Sequence, residues 1–150
     1  MSFVTAGSGG KGNNEAGKNI ATVVDAFRKT TDTPVILQIA GHHGLMEDLS
    51  GDKNIATLGF IDDMPSLYGR CNYFISASLS EGMPNAVLEA MANGLPVLLS
   101  DIPPHREIVE GTILEKYLFP PTDADALVER IRNILADDYE QLSRTARKII

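Results

Sequence analysis

The sequence has little of what marks several large classes of protein. Its 150 residues contain one cysteine, Cys71, which excludes a disulfide framework and a thiolate metal cluster and favours a simple buried thiol. No apolar run approaches the ~18 residues of a membrane-spanning helix, and the first residues lack the pattern of a signal peptide. Lys and Arg number 13 against 20 Asp and Glu, without a basic cluster, which argues against a nucleic-acid-binding surface. A reduced, cytoplasmic setting suits this composition.

What the sequence does contain is typical of one globular domain. It is 43% hydrophobic and 22% charged, and it is long enough to bury a core without staples. The chain enters a strand almost at once, and its last residues, Arg147–Ile150, carry no helix cap. We therefore expect residues 1–150 to form a single domain that belongs to a longer, two-domain protein.

Short apolar segments alternate with helical patterns along the chain. The segments that predict strands are Phe3–Ala6, Val35–Ala40, Ile55–Leu58, Tyr73–Ala77, Pro96–Ser100 and Tyr117–Phe119. The predicted helices are Lys18–Lys29, Pro65–Arg70, Pro84–Asn93 and one that a capping box at Thr122 and Asp125 begins. This alternation predicts an α/β fold, with a Rossmann-like parallel sheet of about six strands and helices on both faces. Because ligands of such sheets bind at the carboxyl ends of the strands, the site should lie among loops 7–17, 41–44, 59–63, 78–83 and 101–105.

The glycine-rich loop after the first strand fits two phosphate-binding patterns, each incompletely. The dinucleotide pattern G-x-G-x-x-G is formed by Gly7, Gly9 and Gly12. However, the helical pattern begins only near Lys18, and no acid for a ribose follows the second strand before Glu47. The triphosphate pattern G-x-x-x-x-G-K also occurs, but Asn19 stands where Ser or Thr would bind magnesium. A surface loop without a ligand is the third interpretation, and the loop alone does not decide among them.

A more informative segment is Ser78–Val97, which follows the fourth predicted strand. Pro84 suits the first position of a helix, whose N-terminal amide groups would favour an anion in the cleft. These amides belong to Met83, Asn85 and Ala86. Glu89 is the only charge in this helix, and among apolar neighbours its carboxylate needs a partner, such as the vicinal hydroxyls of a ribose. The alternative for Glu89 is an exposed residue that interacts with the helix dipole.

Glu81 and Glu89 together form E-x(7)-E, followed by A-M-A-x-G-x-P-V. This pattern resembles the C-terminal, nucleotide-sugar-binding half of retaining glycosyltransferases of the GT-B fold, notably family 4, also called glycosyl transferases group 1. The resemblance covers nearly the whole chain. It includes Gly7, Lys18–Asn19, Leu58–Phe60, Tyr68–Phe74, Ser100–Ile108 and Phe119–Asp123.

The resemblance implies a role for each matching residue. The donor-binding residues would be Lys18, Phe60, Ile61, Gly82, Met83, Asn85, Ala86 and Glu89. Glu89 would accept the ribose hydroxyls of a UDP- or GDP-sugar, and Lys18 would neutralise its diphosphate. The main chain near Phe60 and Ile61 would contact the base. Glu81 would be the catalytic carboxylate that contacts hydroxyls of the transferred sugar.

The resemblance also implies what the whole protein does. It would transfer a hexose, with retention, to a glycan or lipid-linked acceptor bound by an N-terminal domain that this chain lacks, so we expect the chain alone to bind donor without transfer. No metal or other cofactor is expected, because a lysine and amide groups can stabilise the leaving diphosphate. A cytoplasmic protein, with peripheral association at the inner face of the membrane, fits this activity. A sugar-nucleotide epimerase of the same fold and a non-catalytic nucleotide-binding module remain as alternatives, and the sugar, base and acceptor stay open.

Several residues depart from this pattern or suggest other chemistry. Ser8 stands where the family usually has a diphosphate-binding Arg, and Lys11 is the nearest substitute. His42 and His43 suggest a metal, but no third ligand has suitable spacing with them, so they are expected to flank the cleft. His105 follows two prolines and is expected in a loop, with the cap of a short helix near the site as the alternative. A glycosidase pair of carboxylates is disfavoured because nothing around the two glutamates predicts a sugar-distorting groove.

Overall fold

The computed structural model describes residues 1–7, 15–45 and 47–150, and of residues 15 and 16 it describes only the backbone. Within these ranges, five parallel strands form one sheet in the order β3-β2-β1-β4-β5. The strands are β1 (Ser2–Ala6), β2 (Ile36–Ala40), β3 (Ile55–Gly59), β4 (Tyr73–Ser76) and β5 (Val97–Leu99). The predicted α/β, Rossmann-like fold class is therefore confirmed, with five strands in place of about six.

The strand predicted over Tyr117–Phe119 is wrong. Tyr117 ends a 3₁₀ helix, Ile113–Tyr117, and Phe119 forms only an isolated bridge with Ser100 beside β5. Both aromatic side chains are fully buried. These residues are apolar because they are buried in the core. An apolar run of three residues is too short to show whether a buried segment also pairs as a strand.

Seven α-helices accompany the sheet in the described ranges. They are α1 (Glu15–Lys18), α2 (Ile20–Arg28), α3 (Met64–Gly69), α4 (Asn85–Ala92), α5 (Pro103–Val109), α6 (Ala124–Ala136) and α7 (Tyr139–Ile149). The helix predicted over residues 18–29 is divided, because Asn19 adopts a left-handed φ of 55° between α1 and α2. Asn tolerates this conformation. Its side-chain amide donates to the carbonyls of Ala77 (2.9 Å) and Pro121 (2.6 Å), which attaches the start of α2 to the carboxyl edge of the sheet.

The starts of α6 and α4 each differ from the prediction by one residue. Asp123 caps α6 in place of Thr122, and its carboxylate accepts a hydrogen bond from the Ala126 N–H at 2.9 Å. Pro84 precedes α4 as its N-cap residue, so the helix begins one residue later than expected. Both are shifts of one residue at a terminus, where Asp, Thr and Pro all suit neighbouring positions.

Neither α5 nor α7 was predicted, and of α1 only the last residue, Lys18, lies in a predicted helix. In α5 the two prolines occupy the first turn, where their missing N–H groups cost nothing. This helix contains His105, so its expected place in a loop is wrong. In α7 only a narrow stripe, including Leu142 and Ala146, is buried, and charged residues dominate the rest. Such a stripe gives a weak apolar signal in the sequence.

Helices cover both faces of the sheet. Phe3 and Val4 are adjacent in β1, point to opposite faces and are both 0% exposed. On one face, Phe3 contacts Phe27 of α2 edge to face, with ring centroids 5.5 Å apart. The thiol of Cys71 is buried as expected, and burial raises its pKa. Among the described residues, no helix has the length and hydropathy to cross a membrane.

Candidate functional site

Two of the predicted site residues, 63 positions apart in sequence, form an ion pair at the carboxyl edge of the sheet. The Lys18 Nζ atom lies 2.8 Å from Glu81 Oε1, and the two side chains are 27% and 12% exposed. The hydroxyl of Ser78 donates to the same carboxylate oxygen at 2.8 Å. Lys18 is the last residue of α1. The prediction had placed it at the start of the helix that follows. Glu81 is therefore held from two directions at the end of β4.

A small polar cavity of about 190 Å³ lies beside this ion pair. Its lining residues are Gly17, Lys18, Ser80, Glu81 and Gly82. The Gly17 carbonyl accepts a hydrogen bond from the Leu79 N–H at 2.8 Å, which joins α1 to the loop after β4. One cation, one carboxylate and several backbone groups thus face a space of a few atoms' width, which suits a polar, charged ligand group.

The amide groups at the start of α4 differ in their availability. The Asn85 N–H donates to the Met83 carbonyl at 2.8 Å, in a tight turn, and so is already engaged. The N–H groups of Gly82, Met83 and Ala86 form no hydrogen bond with another described residue. Gly82 and Met83 are exposed, and the Asn85 side chain is exposed as well. The geometry therefore leaves three of the four amides free to donate to a ligand.

A second, mostly apolar cavity of about 240 Å³ lies on the other side of this turn. Phe60, Ile61 and Ala86, all predicted as site residues, line it together with Tyr68 of α3 and Glu89 of α4. Phe60 is 68% exposed, so its side chain is accessible to a ligand in this cavity. Glu89 is also exposed, and its carboxylate forms no hydrogen bond or ion pair with another described residue. One free carboxylate thus stands at the rim of an apolar cavity.

Only glycine fits at position 7, directly after β1, because the backbone of His42 approaches it closely. A Cβ atom at this position would lie 2.0 Å from the His42 carbonyl oxygen, much closer than atoms can approach. The Gly7 N–H donates to the Ala40 carbonyl at 2.7 Å and holds this close contact. Gly7 also lines the apolar cavity, so a larger residue here would push the His42 backbone away and change the wall of this cavity.

A buried polar network lies behind Glu81, and the sequence did not indicate it. Ser100 Oγ donates to the Ser78 carbonyl at 2.7 Å, and His105 Nδ1 lies 3.0 Å from the Ser100 carbonyl. All three residues are 0% exposed. With Nδ1–H as donor to that carbonyl, His105 Nε2 is an acceptor, and it has no partner. Burial lowers the pKa of His105, which keeps the ring neutral, and the two prolines that start α5 were the only local signal for its place in a helix.

The two other histidines each accept a hydrogen bond from a backbone N–H group two residues later in the chain. Nδ1 of His42 accepts from the Gly44 N–H at 3.1 Å, and Nδ1 of His43 accepts from the Leu45 N–H at 3.0 Å. In the described ranges, no three His, Cys, Asp or Glu side chains are grouped as metal ligands. Both phosphate-loop patterns, together with Ser8 and Lys11, fall largely or wholly on residues 8–14, outside the described residues.

Comparison with known proteins shows to which family the chain belongs. The family described as glycosyl transferases group 1 matches residues 11–149. The chain belongs to this family. The resemblance noted in the E-x(7)-E segment is thereby confirmed for a glycosyltransferase domain.

Two curated relatives of this group 1 domain come from Escherichia coli. The O-antigen chain mannosyltransferase B is 30% identical over 149 residues, which are 91% of this chain and 38% of that protein. The UDP-Gal:alpha-D-GlcNAc-diphosphoundecaprenol alpha-1,3-galactosyltransferase is 29% identical over 110 residues, which are 68% of this chain and 28% of that protein. The matched part of the chain thus spans only 28–38% of the length of these relatives.

The fold of the group 1 domain recurs in solved glycosyltransferase structures. The crystal structure of Anabaena Alr3699/HepE in complex with UDP and glucose matches with a TM-score of 0.78 at 20% identity, over 98% of this chain and 42% of that one. At this identity the match concerns the fold alone. The features of this domain that bear on its ligand are therefore its own two cavities. Glu81 lines the polar cavity, and Glu89 lines the apolar cavity.

Proposed function

We propose that this chain is the donor-binding half of a retaining glycosyltransferase that uses a UDP- or GDP-hexose. The observation that supports this most is one short segment, from Glu81 to Glu89, which presents a carboxylate to each of two adjacent cavities. One cavity is polar and contains Lys18, and the other is mostly apolar. A nucleotide sugar is divided in the same way, with charged diphosphate and sugar hydroxyls at one end and a nucleoside at the other.

The nucleoside occupies the apolar cavity in this proposal. The base packs against the exposed Phe60 ring and the main chain of Ile61, where it removes apolar surface from water. The free carboxylate of Glu89 accepts hydrogen bonds from the two ribose hydroxyls, since an ionised carboxylate has acceptor sites for both. The lack of any other partner for Glu89 among the described residues supports this role.

The diphosphate and the sugar occupy the polar cavity. Lys18 and the free amides of Gly82, Met83 and Ala86 donate to phosphate oxygens, while the exposed Asn85 side chain supplies a further donor. During transfer the bond between the sugar and the diphosphate breaks, and negative charge grows on the leaving oxygen. A cation and fixed amides directed at that charge stabilise the transition state, so the proposal needs no metal.

Glu81 contacts the transferred sugar in this arrangement. Its carboxylate is oriented before the donor arrives, because Ser78 and Lys18 both hydrogen-bond to Oε1. The other oxygen is left to accept a sugar hydroxyl. A preoriented acceptor of this kind positions the anomeric carbon for attack at low entropic cost.

The acceptor is proposed from the relatives. One is named for transfer to a diphosphoundecaprenol-linked sugar and another for an O-antigen chain, which supports a glycan or lipid-linked acceptor. Because the chain spans only part of these relatives, the acceptor site and part of the water-excluding cleft belong to sequence outside it. By itself the chain binds donor and transfers nothing.

Calorimetry with wild type and Glu89→Ala tests the nucleoside site, with UDP, GDP and ADP and their 2′-deoxy counterparts as ligands. Two hydrogen bonds to a charged group, less the return of water, amount to about 2–4 kcal/mol, so ribonucleotide affinity should fall roughly 30- to 1,000-fold. The matched control is Glu129→Ala, an exposed glutamate in α6, which should leave affinity unchanged. A wild type that binds ribo- and deoxyribonucleotides equally, or a loss no larger than that of the control, would refute the assignment.

A further inference from the structure

Tyr68, one of the residues that line the apolar cavity, carries a buried hydroxyl that forms no hydrogen bond with a described residue. Tyr68, in α3, is 1% exposed, and its phenolic oxygen is buried without a hydrogen-bond partner. The ring itself packs normally, edge to face with Phe74 of β4 at 6.0 Å and 77°. Buried hydroxyls are nearly always hydrogen-bonded in native proteins. The orphan oxygen of Tyr68 is therefore unexplained by packing alone, since phenylalanine would fill the same volume without this cost.

The position of the hydroxyl points to its partner. Tyr68 lines the apolar cavity together with Glu89, and these two side chains come from different helices, α3 and α4. Burial, with a smaller effect of the nearby Glu89 charge, raises the pKa of Tyr68 to about 12. The phenol therefore keeps its proton at any physiological pH and acts as a permanent donor. The nearby acceptor without a hydrogen-bond partner among the described residues is the carboxylate of Glu89.

A hydrogen-bond donor near Glu89 would fix the orientation of its carboxylate. Its side chain is exposed, forms no hydrogen bond with another described residue and is free to rotate about three bonds. To accept both hydroxyls of a ribose, its carboxylate has to be held in one orientation. Fixing a free glutamate costs rotamer entropy, which lowers the affinity for the ligand.

We propose that the Tyr68 hydroxyl is a positioning group for Glu89, which donates a hydrogen bond to the carboxylate when a ribonucleotide enters the cavity and orients it toward both ribose hydroxyls. A carboxylate has enough lone pairs for the phenol and the two ribose hydroxyls together. This inference rests on the proposed role of Glu89 as the ribose ligand. Tyr68 acts through Glu89 and need not contact the nucleotide.

The test uses Tyr68→Phe, which removes only the unpartnered oxygen, and whichever of UDP, GDP and ADP binds wild type most tightly. Loss of one hydrogen bond to a charged group should weaken ribonucleotide binding about fivefold to twentyfold. Binding of the 2′-deoxy counterpart, which keeps only the 3′-hydroxyl as a donor to Glu89, should weaken by a smaller factor. In the Glu89→Ala background, Tyr68→Phe should have no further effect, because the group that it orients is gone. The melting temperature should stay the same or rise, because a buried, unsatisfied hydroxyl has been removed.

The matched control is Tyr139→Phe, which loses a hydrogen bond that is already formed, to the Asn72 carbonyl at 3.0 Å. It should lower the melting temperature and leave nucleotide affinity unchanged. Independently of any variant's stability, ¹⁹F NMR of wild type containing 3-fluorotyrosine should show one of the four tyrosine signals shifting further with the ribonucleotide than with its 2′-deoxy counterpart.

The outcomes separate this inference from the proposed function. If wild type prefers the ribonucleotide and Glu89→Ala abolishes that preference, while Tyr68→Phe does not weaken it, the Tyr68 inference alone is overturned. An equal loss with ribo- and deoxyribonucleotide, or a loss that persists in the Glu89→Ala background, overturns it too. If no nucleotide binds, or wild type does not prefer ribose, both proposals fail together.

Discussion

Replacing Lys18 by methionine is the most direct test of the polar cavity. The substitution keeps most of the side-chain volume and its helical preference but removes the charge. In the structure this charge lies 2.8 Å from Glu81 and faces the cavity proposed for the diphosphate. Lys18→Met should therefore weaken the binding of phosphate-bearing ligands and leave the nucleoside cavity intact.

The expected magnitude follows from distance and exposure. Two unit charges about 4 Å apart interact by roughly 4 kcal/mol at an effective dielectric constant of about 20. The Lys18 side chain is 27% exposed and already partly neutralised by Glu81, so solvent screening and the existing pair reduce this figure considerably. A net loss of about 1–2 kcal/mol is reasonable, which is roughly a 5- to 30-fold weaker affinity.

The assay compares UDP with uridine, which lacks the phosphates. In calorimetry at low salt, Lys18→Met should lose affinity for UDP and keep the affinity of wild type for uridine, and the UDP effect should shrink as salt screens the charge. Lys29→Met is the matched control, because Lys29 is 52% exposed and pairs with Asp125 away from both cavities. Removing Lys18 also leaves the largely buried Glu81 without its cation, so the melting temperature should fall, and adding Glu81→Gln should restore it in part.

Two results would contradict this reasoning. One is an equal loss of affinity for UDP and uridine, which would mean that Lys18 supports the fold of the cavity rather than the diphosphate. The other is a loss of UDP affinity in Lys29→Met as large as in Lys18→Met, which would show a general effect of net charge.

The other two predictions concern His105 and metal ions. Because burial lowers the pKa of His105 below its ordinary value of 6.5, the unfolded chain takes up this proton first on acidification, and stability should fall as the pH drops from about 7 toward 5. In denaturant melts, His105→Asn should flatten this slope, and an unchanged slope would show that other groups cause it. EDTA should leave nucleotide affinity unchanged, and a large loss that magnesium or manganese restores would mean that the phosphate site needs a metal.

Much of the fold could be predicted because the signals are local. Each of the five strands lies within a residue or two of its prediction, since a parallel strand buried on both faces is a short apolar run. The segment from Glu81 to Glu89 indicated the family without any structure, because a turn, a helix start and two carboxylates at fixed spacing are neighbours in the chain. Errors arose where the local signal was ambiguous, as in the apolar run that ends at Phe119.

Tertiary contacts decided the rest. The left-handed Asn19 is stabilised by carbonyls 58 and 102 residues away, and no local propensity requires it. The ion pair of Lys18 with Glu81, the burial of His105 behind it and the orphan hydroxyl of Tyr68 beside Glu89 all join residues from different elements. The sequence by itself determined the five strands, four of the helices and the family, because hydrophobic period and turn chemistry act over a few residues. Only the packed sheet decided which charges meet at its carboxyl edge, because those distances depend on how elements far apart in sequence come together.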